Sequence, residues 1–213
     1  MPGFNEKCVH LQPVSPRQGV AACRRPRQGR IPYAAIIVSA GAKTYHNHRL
    51  FSTDTMKDIS ITVPVVCYGY DELPDDAVRA LVEKARQSTY HSYAPYSHFC
   101  VGAAILLDNG ETITGANQEN AAFSAGTCAE RSACFYAHAN YPEARFEAIA
   151  IAARAEDGDF VADPVSPCGV CRQALLEYEV LAKHPVPVWL AGRNCVYRLP
   201  SVASLLPLAF SEF

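Results

Sequence analysis

The sequence lacks any long hydrophobic run. No stretch of about 18 apolar residues occurs among its 213 residues, which excludes a transmembrane helix of ordinary length. It also lacks a strong excess of one charge, because 19 Lys and Arg residues stand against 21 Asp and Glu residues. The formal net charge of -2 argues against binding to nucleic acid by bulk electrostatics. No strong secretory signal is present, so we expect a cytoplasmic protein, and the length indicates one domain with or without an appendage.

Charge is distributed unevenly along the chain. Residues 1–55 hold 8 Lys and Arg against 2 Asp and Glu, a net charge of +6, whereas residues 56–213 carry -8. The first segment is rich in proline and arginine, so we expect a disordered basic leader. Two alternatives stay open: a transit peptide, or a natural start at Met56 preceded by an over-extended reading. His46 and His48 have a spacing that could hold a metal, but two solvated histidines are the simpler interpretation.

Downstream of residue 73 the pattern alternates between helix and strand. Pro74 followed by two acids suits the first turn of a helix, and Asn109-Gly110 is typical of a hairpin between two strands. We predict helices over 74–89, from Thr127 or Cys128 to His138, and from Pro167 or Cys168 to Tyr178, with strands over 99–107, 111–116, 147–154, 186–190 and 194–198. Such an order requires crossover connections in a sheet covered by helices. The predicted class is α/β, a three-layer α/β/α domain over 73–213 with a mixed five-stranded sheet, after a lead-in segment 56–72.

Three cysteines have the spacing of a metal site. Cys128 stands in Cys-Ala-Glu, and Cys168 and Cys171 stand in Pro-Cys-Gly-Val-Cys. Each motif falls at a predicted helix N-terminus, where free N–H groups and the helix dipole stabilise thiolates. Three thiolates at about 2.3 Å bind zinc well and leave the fourth position for water, as in a catalytic site. The alternative, two redox-active or incidental thiols with a core cysteine, would explain the Cys-x-x-Cys pair alone.

Charged residues beside these cysteines supply further chemistry. Glu130 lies two residues after Cys128, so it can project beside the metal, take a proton from an activated water and pass it on. Three thiolates on Zn²⁺ leave a net charge of about -1, which weakens the metal as a Lewis acid. Arg131 and Arg172 each follow a motif directly, and hydrogen bonds from guanidinium to thiolate would withdraw that charge. For both arginines, the alternative is an ordinary surface side chain.

Four ordered segments resemble the homotetrameric zinc-dependent cytidine deaminases of the cytidine and deoxycytidylate deaminase superfamily. They are residues 94–103, 115–121, 128–131 and 166–173, and the resemblance runs over 73–213. The last two carry the general zinc-deaminase pairing of a Cys-Cys motif with a glutamate that is not a ligand. The resemblance implies a cytidine deaminase-like fold and one Zn²⁺ per subunit in a homotetramer with shared active sites. It also implies hydrolysis of cytidine and deoxycytidine to uridine and deoxyuridine with release of ammonia, in pyrimidine salvage.

The same resemblance implies roles for single residues. Phe99 would pack against the pyrimidine ring, and Asn117 and Glu119 would hydrogen-bond ribose hydroxyls, a task that suits an amide and a carboxylate. Ala129 would bind the base edge through its backbone, and Glu130 would contact N3 and the exocyclic amine. For Asn117, the alternative is a loop residue that closes a turn.

Two aromatic residues resemble groups that complete the family's site. Phe123 stands where members carry an aromatic that reaches a neighbouring subunit, and Phe210 resembles the C-terminal aromatic that closes over substrate. The leader 1–55 has no counterpart in the family's usual short form.

Three other functions stay open at this stage. A blasticidin-type or other small-molecule aminohydrolase would share the zinc motifs, although the segments around Phe99 and Asn117 favour a nucleoside. A nucleic-acid-editing deaminase would need clustered basic residues, which the acidic body does not supply. A non-enzymatic zinc-binding module would not need Glu130 or an open fourth position.

Overall fold

The protein is represented by a computed structural model, which describes residues 58–211. The leader 1–55, which contains His46 and His48, therefore lies outside the described residues. The transit-peptide and Met56-start alternatives concern the same part of the chain. The strands of the described chain are β1 (Val66–Tyr68), β2 (Phe99–Leu107), β3 (Thr112–Ala116), β4 (Phe146–Ala155), β5 (Val188–Ala191) and β6 (Val196–Leu199), and its α-helices are α1 (Asp76–Ser88), α2 (Ala129–Asn140) and α3 (Gly169–Ala182). No helix formed by residues 58–211 has the length and apolar character needed to cross a membrane.

The predicted helices and strands all occur, with small shifts at their ends. Helix α1 begins at Asp76, two residues after the predicted start at 74, because Asp75 is the N-cap residue and its side chain accepts a hydrogen bond from the Val78 N–H at 2.8 Å. The sheet differs from the prediction in having six strands rather than five. The additional strand, β1, comes from the lead-in segment 56–72 and is only three residues long, which is too short to show a period of two. The domain boundaries themselves stay a prediction.

The sheet is mixed, with strand order β1-β6-β5-β4-β2-β3. Only the β4–β5 pair is parallel among these neighbours, and α3 makes the crossover that joins them. Strands β3 and β4 both run antiparallel to β2, which lies between them, so they run in the same direction as each other. The segments that follow β3 and β4 therefore leave the sheet on the same side, where the carboxyl ends of these two strands lie. They lead to the first turns of α2 and α3.

Helices cover both faces of the sheet. In β4, Ile149 and Ile151 belong to the core formed with α2 and α3, whereas Ala148 and Ala150 belong to the core formed with α1. Because successive strand residues point to opposite faces, this alternation assigns α1 to one face and the other two helices to the opposite face. The predicted α/β class and three-layer α/β/α arrangement are confirmed.

Strand β3 and helix α2 approach each other closely at Gly115. A methyl group added at Gly115 would lie 2.6 Å from the carbonyl oxygen of Ala129 and 2.6 Å from the amide nitrogen of Ala133. Both atoms belong to the backbone of α2, so the absence of a side chain at Gly115 sets how deeply this helix sits on the sheet. The first turn of α2 carries Cys128 and Glu130, and its position is therefore tied to β3.

Candidate metal centre and active site

Three thiol groups meet where the first turns of α2 and α3 come together. Cys128 is the residue preceding α2, Cys168 is the residue preceding α3, and Cys171 lies in the first turn of α3. Their sulfur atoms lie within 4.8 Å of one another, and those of Cys128 and Cys168 are 3.9 Å apart. Tetrahedral zinc with bonds of about 2.3 Å requires sulfur atoms about 3.8 Å apart. The predicted three-cysteine set therefore has the geometry of a zinc site.

The electrostatics of the cluster favour thiolate at Cys128. Cys128 and Cys168 are the N-cap residues of α2 and α3 and make no side-chain cap hydrogen bond, and the positive end of each helix dipole favours negative charge at their sulfur atoms. A hydrogen bond from Cys171 is the largest cause that lowers the pKa of Cys128 to about 5, and Arg131 adds to it. The same hydrogen bond, together with burial, raises the pKa of the Cys171 thiol. The cluster therefore holds negative charge, as a set of metal ligands must.

Glu130 lies beside the cluster without belonging to it. Its side chain sits in the first turn of α2 and is only 4% exposed. Burial is the main cause that raises the pKa of Glu130, and the negative charge of Cys128 adds to it. Cys171 is within hydrogen-bonding reach of the carboxyl group. A buried carboxyl group next to a metal site can hold or release a proton there.

Arg131 has the partner that its position in the sequence predicts. Its Nη2 atom donates a hydrogen bond to the sulfur of Cys128 at 3.9 Å. That hydrogen bond is the largest cause that raises the pKa of Arg131, and Cys171 contributes as well. A guanidinium group in this place draws negative charge from the sulfur ligands.

Arg172 has a different set of partners from the predicted one. Its Nε donates to the carbonyl oxygen of Pro167 at 2.8 Å, Nη1 to that of Leu205 at 2.9 Å, and Nη2 to the hydroxyl of Ser166 at 2.9 Å. These three acceptors are oxygen atoms, which accept more strongly than the expected sulfur. Arg172 thus ties the loop before Cys168 to the C-terminal part of the described chain.

A cavity of about 360 Å³ opens next to the three-cysteine cluster. It brings together five of the predicted site residues, namely Asn117, Glu119, Phe123, Cys128 and Arg131. The other seven predicted residues are not part of its lining: Phe99, Ala129, Glu130, Cys168, Cys171, Arg172 and Phe210. Tyr96 lines the cavity too, although no role is predicted for it beyond membership of the segment 94–103. The cavity has the volume of a small-molecule site.

Asn117 uses its amide group to hold the start of β2. The side-chain oxygen accepts from the Val101 N–H at 2.8 Å, and Nδ2 donates to the carbonyl oxygen of Phe99 at 2.9 Å. Asn117 therefore does make the contacts of the alternative interpretation, in which it is a loop residue that closes a turn. An amide has a second N–H and a second lone pair, so these contacts still permit a hydrogen bond to a ligand.

Glu119 faces the turn that precedes β2. Its Oε2 atom accepts from the N–H groups of Tyr96 and Ser97 at 2.9 and 3.2 Å. The Ser97 hydroxyl and the Tyr96 N–H are the main causes that lower the pKa of Glu119. The carboxylate is thus ionised and oriented at the wall of the cavity.

The remaining predicted residues lie around this centre. Phe99 is the first residue of β2 and is 37% exposed, and Ala129 is buried at the start of α2. Phe123 is 83% exposed, and its ring meets that of Tyr96 edge to face at 5.9 Å between centroids. Phe210 is also exposed, and its carbonyl oxygen accepts a hydrogen bond from Gln173 at 2.8 Å.

Comparison with known proteins gives consistent matches. Residues 76–184, which include all three cysteines of the cluster, match the model of the cytidine and deoxycytidylate deaminase zinc-binding region. A cytidine deaminase of Sporosarcina psychrophila is 38% identical over 135 residues, which are 63% of this chain and 92% of that protein. One of Halalkalibacterium halodurans is 40% identical over 131 residues, 62% of this chain and 92% of that protein. The crystal structure of cytidine deaminase from Burkholderia pseudomallei superposes with a TM-score of 0.51 at 37% identity, covering 62% of this chain and 97% of that one.

Proposed function

This chain belongs to the cytidine and deoxycytidylate deaminase family, and we propose that it hydrolyses cytidine and deoxycytidine. The products are uridine or deoxyuridine and ammonia, and the role is pyrimidine salvage. The observation that carries this proposal is the three-thiol cluster with Glu130 buried beside it, next to a cavity of about 360 Å³ that Cys128 lines. One Zn²⁺ per subunit fits the cluster of Cys128, Cys168 and Cys171 by donor type and by sulfur spacing. When bound there, the ion supplies the Lewis acidity that makes water nucleophilic near neutral pH.

Glu130 moves the protons of the reaction. Its buried carboxylate takes a proton from the attacking water as the C4–O bond forms and delivers it to N3 of the base. It then carries the proton of the new C4 hydroxyl to the amino group, so that the C4–N bond breaks, ammonia leaves and C4 becomes a carbonyl. Its buried position in the first turn of α2, beside the three cysteines, supports this role. The backbone of Ala129, at the same helix end, binds the edge of the base.

The cavity binds the nucleoside. The N–H groups of Tyr96 and Ser97 donate to Oε2 of Glu119, and a carboxylate has about four lone-pair sites, so the group can also accept from a ribose hydroxyl. Asn117 binds the sugar through its second amide hydrogen, and Phe99 packs against the pyrimidine ring. An ordered carboxylate and amide on one wall, with an aromatic ring nearby, support a sugar and a flat base as ligand.

Neighbouring subunits complete the site in a cytoplasmic homotetramer. Phe123 reaches the site of an adjacent subunit, and Phe210 closes over the substrate. The exposure of both rings, 83% and 69%, supports their burial against another subunit or a ligand. No polynucleotide is expected as substrate, because residues 56–213 carry a net charge of -8.

Ammonia release tests the proposed function. The zinc-loaded protein is incubated with cytidine, deoxycytidine, CMP and blasticidin S, and ammonia and the deaminated products are measured. We expect turnover of the two nucleosides and little with CMP or blasticidin S. Turnover of blasticidin S alone would assign the chain to another aminohydrolase, and no turnover with any substrate would leave a non-enzymatic zinc module.

Arg131→Ala is expected to weaken zinc binding about 10–100-fold, the usual effect of removing a group that hydrogen-bonds a metal ligand. The physical reason is the loss of the guanidinium donor to the Cys128 sulfur. Competition with a chromophoric chelator measures the affinity. Arg193→Ala, at an exposed arginine paired with Asp159, serves as control and should leave zinc affinity unchanged. Equal affinity in the Arg131 variant and the wild type would contradict the assigned role.

A further inference from the structure

The backbone of His98 adopts an uncommon conformation next to the cavity. Its φ of 55° lies in the left-handed region, which residues other than glycine rarely adopt. Among the described residues, Lys183 is the other non-glycine case, and it ends α3, where this conformation is ordinary. His98 ends no helix. A strained residue persists only where its surroundings hold it, and such residues concentrate at functional sites.

The conformation of His98 closes a turn that presents two N–H groups to Glu119. The N–H of His98 donates to the carbonyl oxygen of Ala94 at 3.0 Å, which reverses the chain. Within that turn, Tyr96 and Ser97 direct their N–H groups at Oε2 of Glu119. The orientation of the Glu119 carboxylate therefore depends on the turn that His98 ends.

The residue after His98 begins β2. Phe99 follows directly, and its carbonyl oxygen accepts the hydrogen bond from Nδ2 of Asn117 at 2.9 Å. His98 thus lies between the N–H groups that orient Glu119 and the strand end to which the Asn117 amide is hydrogen-bonded. A change at this residue moves Glu119 and Asn117 together, the two groups proposed to bind the sugar.

Glu156 holds His98 from the neighbouring strand. Nδ1 of His98 donates to Oε2 of Glu156 at 2.5 Å, and the N–H of Glu156 donates to the carbonyl oxygen of His98 at 3.1 Å. Glu156 directly follows β4, and Nη1 of the buried Arg154 donates to its carbonyl oxygen at 3.2 Å. The backbone that carries the Glu156 side chain is therefore anchored at the end of β4, while the side chain itself is exposed.

We propose that His98 and Glu156 are positioning residues for nucleoside binding, which rests on the proposed function. They hold the turn before β2 so that Glu119 and Asn117 meet the sugar hydroxyls. Neither residue touches the reacting atoms, so the pair acts on substrate affinity rather than on the chemical step.

Steady-state kinetics on Glu156→Ala and His98→Ala test the proposal, with cytidine and 2′,3′-dideoxycytidine as substrates. For cytidine, we expect KM to rise about tenfold, the effect of one misplaced hydrogen bond, with kcat and zinc content unchanged. For the dideoxy substrate, which lacks the 2′- and 3′-hydroxyls that Glu119 and Asn117 are proposed to bind, the variants and wild type should share one KM. Glu156→Gln keeps an acceptor for Nδ1 and should restore the wild-type KM for cytidine. Asp157→Ala, at the exposed carboxylate next in the chain, is the matched control.

Each other outcome has a definite meaning. Equal loss on both substrates, or a fall in kcat with loss of zinc, would show a structural role and overturn the proposal. An unchanged KM for cytidine in both alanine variants would also overturn it. If the wild type itself deaminates neither nucleoside, the proposed function fails, which is a distinct result from a wild type that is active and variants that match it.

Discussion

Glu130→Gln is expected to lower kcat for cytidine at least about 1,000-fold while zinc content and folding stay at the wild-type level. General acid–base catalysis contributes about 10²–10⁴-fold in rate, and here one carboxyl group serves several proton transfers. Glutamine has nearly the same shape as glutamate but cannot exchange a proton. Glu130 is 4% exposed in the first turn of α2, so a substitution that keeps its volume should leave the packing intact.

The measurement needs kcat, zinc per chain and the thermal unfolding midpoint on the same preparation. Glu177→Gln is the matched control, because Glu177 is exposed on α3 and away from the thiol cluster, so its removal should change none of the three. A zinc-replete, folded Glu130→Gln protein with kcat within tenfold of wild type would show that another group moves the protons. Loss of zinc in this variant would instead show that the carboxyl group maintains the metal site.

The metal site could be predicted from the sequence because its determinants are local. Cys128 and Glu130 are two residues apart, and Cys168 and Cys171 are three apart, so each pair reaches one helix end without help from the rest of the fold. The helices and strands followed from hydrophobic periodicity in the same way. What brings the two pairs together is the common direction of β3 and β4, which places both helix ends at one edge of the sheet.

Contacts over long sequence distances could not be predicted. Arg172 follows its motif as Arg131 does, yet it donates to the carbonyl oxygen of Leu205, which is 33 residues away along the chain. Which acceptor a guanidinium group finds depends on which loop folds over it. Strand β1 was missed for a related reason, since its three residues are defined by pairing with β6 rather than by a pattern of their own.

The arrangement of the cavity walls could be predicted only in part. The segment containing Phe99 and the segment containing Glu119 were both recognisable, but the sequence did not show that one orients the other. The left-handed backbone of His98, which makes that contact possible, could not be read from the sequence, because only a small fraction of histidines adopt it and the surrounding fold decides which ones do. The sequence thus predicts the groups of the site, and the fold determines their orientation.

Gly115→Ala is expected to destabilise the protein by about 3 kcal/mol and to weaken the metal site at the same time. The backbone of Gly115 is not in the left-handed region, so alanine suits its conformation, and the lower entropy of the unfolded chain would favour alanine by about 0.4–1 kcal/mol. The added methyl group would, however, lie 2.6 Å from backbone atoms of both Ala129 and Ala133. Overpacking against a backbone that cannot rotate away costs about 1–3 kcal/mol or more, so the steric effect decides the sign.

The added methyl group should also affect the active site, because the displaced helix, α2, carries part of that site. To admit the methyl group, α2 must move away from β3, and Cys128 at its first turn moves relative to Cys168 and Cys171. Urea unfolding should therefore show a lower free energy of unfolding, and chelator competition should show weaker zinc binding. Thr114→Ala, at the exposed neighbouring position of β3, should change stability by less than about 1 kcal/mol and leave zinc binding intact. A Gly115→Ala protein as stable as wild type would mean that α2 can shift away from β3 without cost. The close approach of this helix and strand would then not be what positions the metal ligands.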